Sequence, residues 1–250
     1  MADLTALVLT YNEEKNIAGC LSSLDWVKNI IIIDSFSTDQ TKEICLSYNN
    51  VQFYQHEFNN FAEQRNFGLK KLKTDWVLVV DADERVTEAL QLEITKTLKS
   101  PAAPAYKIPR KNYFLGKWIK YCGWYPDYSI RLFKSSYHYQ GLVHESPIIK
   151  EPILALQNDF IHYTYSDLAS YLAKINQYTT LDAAKKFARN KKIGPLYLLI
   201  RPILEFIKKF ILKKGFLLGS QGLILSVLSA YYQFLKAAKL WELNNLKDEK

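Results

Sequence analysis

The first hundred residues show a series of short apolar runs, each closed by polar or acidic residues. Leu4–Leu9 ends at Thr10-Tyr11-Asn12-Glu13-Glu14, and Asn29–Ile33 ends at Asp34. Val51–His56, with polar positions among the apolar ones, reads as a third strand, and the continuous run Trp76–Val80 stops at Asp81-Ala82-Asp83. Unbroken apolar runs of this length suit strands buried on both faces of a parallel sheet, since half-exposed strands would alternate. Between the runs the period changes. Ile17, Cys20 or Leu21, and Leu24 recur at helical spacing behind Asn12, which can cap that helix. The polar cluster Ser35–Asp39 caps a second helix running to about Tyr48. A third helix spans about Phe61 to Lys71 and carries Arg65 and Asn66. This alternation predicts an α/β fold: an open, mostly parallel sheet with right-handed crossovers and flanking helices.

In such sheets ligands bind beyond the carboxyl ends of the strands. Thr10, Tyr11, Asn12, Glu13, Asp34, Asp81 and Asp83 all fall there. Each alone reads as a cap or turn residue, but together at one rim they point to a bound ligand. Asp81 and Asp83, two apart, share one face of a strand and can converge on a cation at its end. A hard cation such as Mg²⁺ or Mn²⁺ holding a diphosphate is the chemistry that asks for such oxygens. By itself a D-x-D also reads as a solvated acidic turn. No G-x-G-x-x-G follows the first strand, and no G-x-x-x-x-G-K-[ST] occurs. A dinucleotide fold and a P-loop NTPase are therefore unsupported.

Four segments in order carry a resemblance: Leu9–Glu14, Ile33–Thr41, Asp81-Ala82-Asp83, and Arg131-Leu132-Phe133 followed by Gly141-Leu142-Val143-His144-Glu145. They resemble the signatures of family 2 glycosyltransferases of the GT-A fold, above all the bacterial lipopolysaccharide-core β-glucosyltransferases, over about residues 4–165. The resemblance implies a nucleotide-diphospho-sugar donor, with UDP-glucose or another UDP-hexose expected. Thr10, Tyr11, Glu13 and Asp34 would contact base and ribose, and Arg65 would lie near the nucleotide. Asp83, with Asp81 supporting it or reaching the ribose, would bind Mg²⁺ or Mn²⁺ on the diphosphate, with His144 as a further ligand or acceptor contact. Inversion also needs a carboxylate to take the acceptor hydroxyl proton. Two candidates stand, Glu145 and Asp127. Pro126 makes a turn role for Asp127 the competing account, while Ser146-Pro147 puts Glu145 on an extended segment. His162 carries the same two readings as His144, ligand or structural residue. Trp118, Trp124 and Tyr125 read as sugar-stacking platforms or as core.

Composition then sets the surroundings. A chain of 250 residues with 48% hydrophobic content can build one domain of ordinary size with a helical appendage. The expected division is a catalytic domain over residues 1–165, with a nucleotide-sugar half to about 100 and an acceptor half from 101, and a helical extension over 166–250. Cys20, Cys45 and Cys122 are odd in number and widely spaced, which argues against a disulfide framework or zinc site. The chain enters a strand directly with no signal-peptide regions, so a cytoplasmic setting is expected.

The net charge of +8 is uneven: Lys185–Lys214 holds ten Lys or Arg against Glu205 alone, so the rest of the chain sums to −1. The catalytic region is therefore not a nucleic-acid binder. The apolar groups of Leu196–Leu212, interrupted by cations, predict a basic amphipathic segment lying on the anionic inner membrane. The uncharged stretch Gly215–Leu235 is polar enough to favour an interfacial helix over a span. The alternative for the tail is a helical pair covering the sheet or forming a homodimer. The expected acceptor is a glycan or glycolipid of the lipopolysaccharide core, with a polyprenyl phosphate or a capsule repeat unit as competitors. A nucleotidyltransferase would want a glycine-rich loop after the first strand, which is missing. A non-catalytic membrane-binding module would leave the rim carboxylates unexplained.

Overall fold

The computed structural model describes residues 3–141, 146–165 and 167–245. The four expected strands are β1 (Leu4–Thr10), β2 (Asn29–Asp34), β3 (Val51–Gln55) and β4 (Trp76–Asp81). They are parallel in the order β3-β2-β1-β4, with Val8 opposite both Ile32 and Val80. Their alternate residues feed two cores. Ala6, Val8, Ile30, Ile32, Leu78 and Val80 pack on one face with α1 (Ile17–Ser22) and α4 (Glu88–Lys99). Leu7, Ile31, Ile33, Val77 and Val79 pack on the other with α3 (Phe61–Leu69). Each such buried side chain contributes about 1.5–3 kcal/mol, so a frame of this kind holds the strand ends firmly.

The crossovers depart from expectation at their starts. Asn12 does not cap α1, which begins at Ile17 with Asn16 at the cap position and no side-chain cap bond. Asn12 instead sits at φ 53°, and its side-chain oxygen accepts the Thr38 amide at 2.8 Å. The Asx side chain serves a loop-to-loop bond because the chain needs five more residues to turn onto the sheet face. Asp39 accepts the Thr41 amide at 3.0 Å and so starts α2 (Thr41–Leu46). Asn60 caps α3 through the Glu63 amide.

Beyond Asp81 the sheet becomes mostly antiparallel. β5 (Glu84–Val86) follows β4 after two residues, then come β6 (Ala105–Phe114), β7 (Lys117–Trp118), β8 (Asp127–Lys134), β9 (Tyr139–Gln140), β10 (Ser146–Pro147), β11 (Ile153–Ala155) and β12 (Phe160–Tyr165). β11 lies parallel to β6, and β9 and β10 form a separate two-stranded sheet. β8 runs against β4, β6 against β8, and β12 against β5, in the order β4-β8-β6-β12-β5. Because β5 leaves β4 after two residues yet lies at the far end of this order, the sheet folds back on itself. That return carries His162, opposite Glu84, to the end of β4.

Two compact units are present: residues 1–111 with 127–162, and residues 112–126 with 163–250. The second contains α5 (Leu168–Ala188), α6 (Pro195–Ile207), a π-helical turn at Lys208–Leu212 and α7 (Ser220–Asn245). Phe114, Ile119 and Cys122 are buried there against Leu218 and Leu225. Trp124 meets Phe114 edge-on at 6.0 Å, and Trp118 meets Tyr125 in the same manner at 5.5 Å. Among the described residues no helix is long and apolar enough to cross a membrane.

Candidate active site

The loops after β1 and β2 are tied to each other. Thr10 Oγ1 donates to Asp34 Oδ1 at 3.0 Å, and both residues are buried. Asp34 also accepts the Ser37 amide at 2.9 Å, the Ser37 hydroxyl, and Gln55 Nε2 at 3.3 Å. The Asn12 amide donates to Ser37 Oγ, the Glu13 amide to Thr41 Oγ1, and the Glu14 amide to Asp39 Oδ2. Glu13 itself accepts Asn16 Nδ2 at 2.8 Å. This lattice leaves the Tyr11 and Phe36 side chains standing out at the rim, 60% and 54% exposed. Two exposed aromatics beside a polar floor form a surface on which a planar base can stack.

The end of β4 is a charge network. Asp81 accepts from Arg131 Nη2 on one oxygen and from Arg65 Nη2 at 3.3 Å on the other. Glu84 accepts from Arg131 at 2.8 Å, lies 3.4 Å from Arg110 Nη1, and takes the Asp81 backbone amide at 3.0 Å. Arg110 Nη2 then reaches Asp127 Oδ2 at 2.6 Å. The guanidinium of Arg65 also stands over the rings of Tyr139 and Phe61, at 5.2 and 5.6 Å. Burial favours the neutral form of Asp81, but Arg131 and then Arg65 overcome it and hold the carboxyl well below its ordinary value. Burial pushes Glu84 up, and the Asp81 charge pushes the same way against Arg131. Neither the role of Arg131 nor that of Glu84 was expected. Arg131 inside the apolar run Ile130-Arg131-Leu132-Phe133 was the available signal, since a charge there needs a buried partner.

Asp81 and Asp83 have different partners. The Asp81 oxygens face the guanidinium groups of Arg65 and Arg131, whose charge opposes a cation on those same oxygens. Asp83 Oδ2 lies 3.3 Å from His162 Nε2. Among the described residues no cluster of three or more His, Cys, Asp or Glu could hold a metal ion. A hard cation that keeps its waters and binds a substrate diphosphate needs only one or two protein ligands, and the Asp83–His162 pair is a donor set of that size. Asp127, at the start of β8, is half-buried and fixed by Arg110. His144 and Glu145 lie outside the described residues. A cleft of about 600 Å³ beside α3 and β9 is lined by His56, Glu63, Phe67, Lys70, Tyr139 and Gln140 and by none of the rim carboxylates.

The sequence model of glycosyl transferase family 2 matches residues 5–153, which include every strand end just described. The chain belongs to glycosyl transferase family 2. It is 27% identical over 259 aligned positions to the lipopolysaccharide core biosynthesis glycosyltransferase LpsC of Rhizobium meliloti, covering 98% of this chain and 94% of that one. An uncharacterised glycosyltransferase of Rickettsia typhi is also 27% identical, covering 98% of this chain and 88% of that one. Among solved structures, the mannosyltransferase PcManGT of Pyrobaculum calidifontis, in complex with GDP-Man and Mn²⁺, superposes with a TM-score of 0.56 at 16% identity, over 99% of this chain and 88% of that one. Residues 1–349 of S. aureus TarS in complex with UDP-GlcNAc superpose with a TM-score of 0.51 at 16% identity, over 100% and 92%. The fold of this family 2 transferase is thus GT-A, with a C-terminal helical extension.

Proposed function

We propose that this family 2 transferase moves a hexose, with glucose the expected one, from a UDP-sugar to a glycan of the lipopolysaccharide core, with inversion at the transferred carbon. The observation that carries this reading is the convergence of Thr10, Asp34, Asp83 and the Arg65–Asp81–Arg131 cluster at one rim of the sheet. The near full-length likeness to a lipopolysaccharide core transferase supports the acceptor class. Residues 1–165 carry the catalysis and residues 166–250 form the extension.

Tyr11 and Phe36 flank the base, while the Thr10–Asp34 pair and Glu13 form the floor beneath it and the ribose. Asp83, with His162 beside it, holds Mg²⁺ or Mn²⁺ on the diphosphate. When bound, such a cation stabilises the negative charge that develops as UDP departs. Arg65 and Arg131, held by Asp81, add positive potential at the same end of the sheet without moving during the reaction. Asp127 takes the acceptor hydroxyl proton as that oxygen attacks the anomeric carbon and the bond to UDP breaks on the opposite side. Its ion pair with Arg110 aims the carboxylate and leaves it partly open to an entering acceptor. The acceptor is presented at the cytoplasmic face of the inner membrane.

Isothermal titration of UDP with and without Mn²⁺, repeated on Asp83→Ala, tests the donor site. Mn²⁺-dependent binding that disappears in the variant is the expected result. Equal binding by the variant removes Asp83 from the metal site, and no binding by the wild type removes the UDP donor.

A further inference from the structure

In the helical unit, α6 and the turns after it expose a run of large apolar side chains. Leu196, Leu199, Ile203, Ile207, Leu212 and Phe216 are all exposed, with Leu196 at 65% and Leu212 at 70%. The spacing of the first four, at three or four residues, puts them along one helical stripe. An apolar surface of this extent is not a neutral feature of a water-facing helix. Lys213 and Lys214 border it and are exposed, while Arg201 and Lys208 sit on the flank of α6 that carries Glu205, with Lys208 Nζ 3.9 Å from that carboxylate. The one acid of the segment, Glu205, is turned inward and 6% exposed, leaving the outer face without a carboxylate.

We infer that this face of α6 and residues 208–217 is a docking surface for an anionic lipid bilayer, lying in the headgroup region with its leucines in the acyl boundary. Charge complementarity selects this occupant over a second copy of the chain. A self-paired face would bring Lys213 and Lys214, which border Leu212 and Phe216, up to their own counterparts with no exposed acid in residues 195–217 to offset them, whereas anionic headgroups supply that charge. No described helix is able to span, so the attachment is interfacial. Its place in the cell rests on the transferase reading above, while the face itself is defined by exposure and charge, and its test involves no sugar transfer.

The experiment is co-sedimentation of the full chain with vesicles of phosphatidylethanolamine and phosphatidylglycerol, against vesicles of phosphatidylcholine alone. The wild type is expected to pellet with the first and not the second, and to be released as salt rises. The double variant Leu199→Glu, Leu212→Glu should stay in the supernatant with an unchanged circular dichroism spectrum, since both sites are exposed. Lys213→Gln with Lys214→Gln should weaken binding by roughly 30-fold, from the worth of a cation near an anionic leaflet. Wild type that ignores phosphatidylglycerol vesicles, or a double leucine variant that binds as tightly, overturns the assignment. So does a lipid-free dimer that the leucine variant converts to monomer, which would make the face a homodimer contact. UDP titration of the same samples reports on the donor site separately, so either reading can fail alone.

Discussion

At Asp81 burial and charge oppose each other, and the two guanidinium groups win. An acid whose folded value is depressed contributes stability above its ordinary value of 3.8 and loses that contribution as pH falls below it. Asp81→Asn removes this ionisation, so unfolding free energy measured between pH 4 and 2 should fall less steeply than in the wild type, by up to about 1.4 kcal/mol per pH unit. The same variant should be less stable at neutral pH, because Arg131 keeps a buried charge with one partner fewer. An unchanged acid slope would mean that Asp81 titrates normally. The base is a separate residue-scale question. Asp127→Asn should lower kcat by two or more orders of magnitude with donor affinity unchanged, and Glu145→Gln should not, in steady-state assays with a fixed acceptor. The reverse pattern would move the proton to Glu145. Asp81, Asp83 and Asp127 stand out in sequence as acids at strand ends and beside Pro126. Their partners do not, since Glu84 and Arg131 are 47 positions apart and meet only when the antiparallel half of the sheet forms.

At the scale of elements, the parallel half was legible because β2 and β4 hold unbroken apolar runs closed by an acid, β1 is interrupted by Thr5 alone, and β3, the edge strand, mixes apolar and polar positions. The antiparallel half was less so. β9, β10 and β11 are two or three residues long, too short for any period to register. The loop role of Asn12 was hidden for another reason: an Asx residue ahead of a helix reads the same whether it bonds its own helix or a neighbouring loop. The start of α7 makes a sharper case. A Cβ on Gly222 would stand 1.9 Å from the backbone oxygen of Gly215, so the turn at Gly215–Leu218 packs on α7 only because Gly222 has no side chain. Gly222→Ala should force the turn off the helix at a cost of about 1–3 kcal/mol, as overpacked sites do. Thermal unfolding would register this as a Tm several degrees lower, whereas an unaltered Tm would show that the turn shifts freely.

For the whole molecule, chain order and spatial grouping differ. A linear reading places the end of the catalytic domain at residue 165, whereas residues 112–126 group in space with the C-terminal helices. The reason is in the apolar content of that insert. Phe114 and Ile119 are wholly buried, and the residues that cover them include Leu218 and Leu225 from far along the chain. The amide of Cys122 donates to the Lys213 carbonyl at 2.9 Å, and Lys117 Nζ to the Leu218 carbonyl at 2.8 Å, so polar groups as well as apolar ones depend on the helices. A chain ending at Tyr165 keeps the insert and loses every one of these partners. Each large side chain so uncovered forfeits about 1.5–3 kcal/mol of burial, and the freed backbone and lysine groups return to water. We expect that shortened chain to bind a hydrophobic dye and to aggregate on concentration, while a chain that also replaces residues 112–126 with a short glycine-serine linker remains soluble. Size-exclusion chromatography of the two distinguishes the cases. If the simple truncation is monodisperse and binds UDP with wild-type affinity, the helices are a detachable extension; if only the second form behaves, insert and helices are one folding unit interleaved with the catalytic sheet.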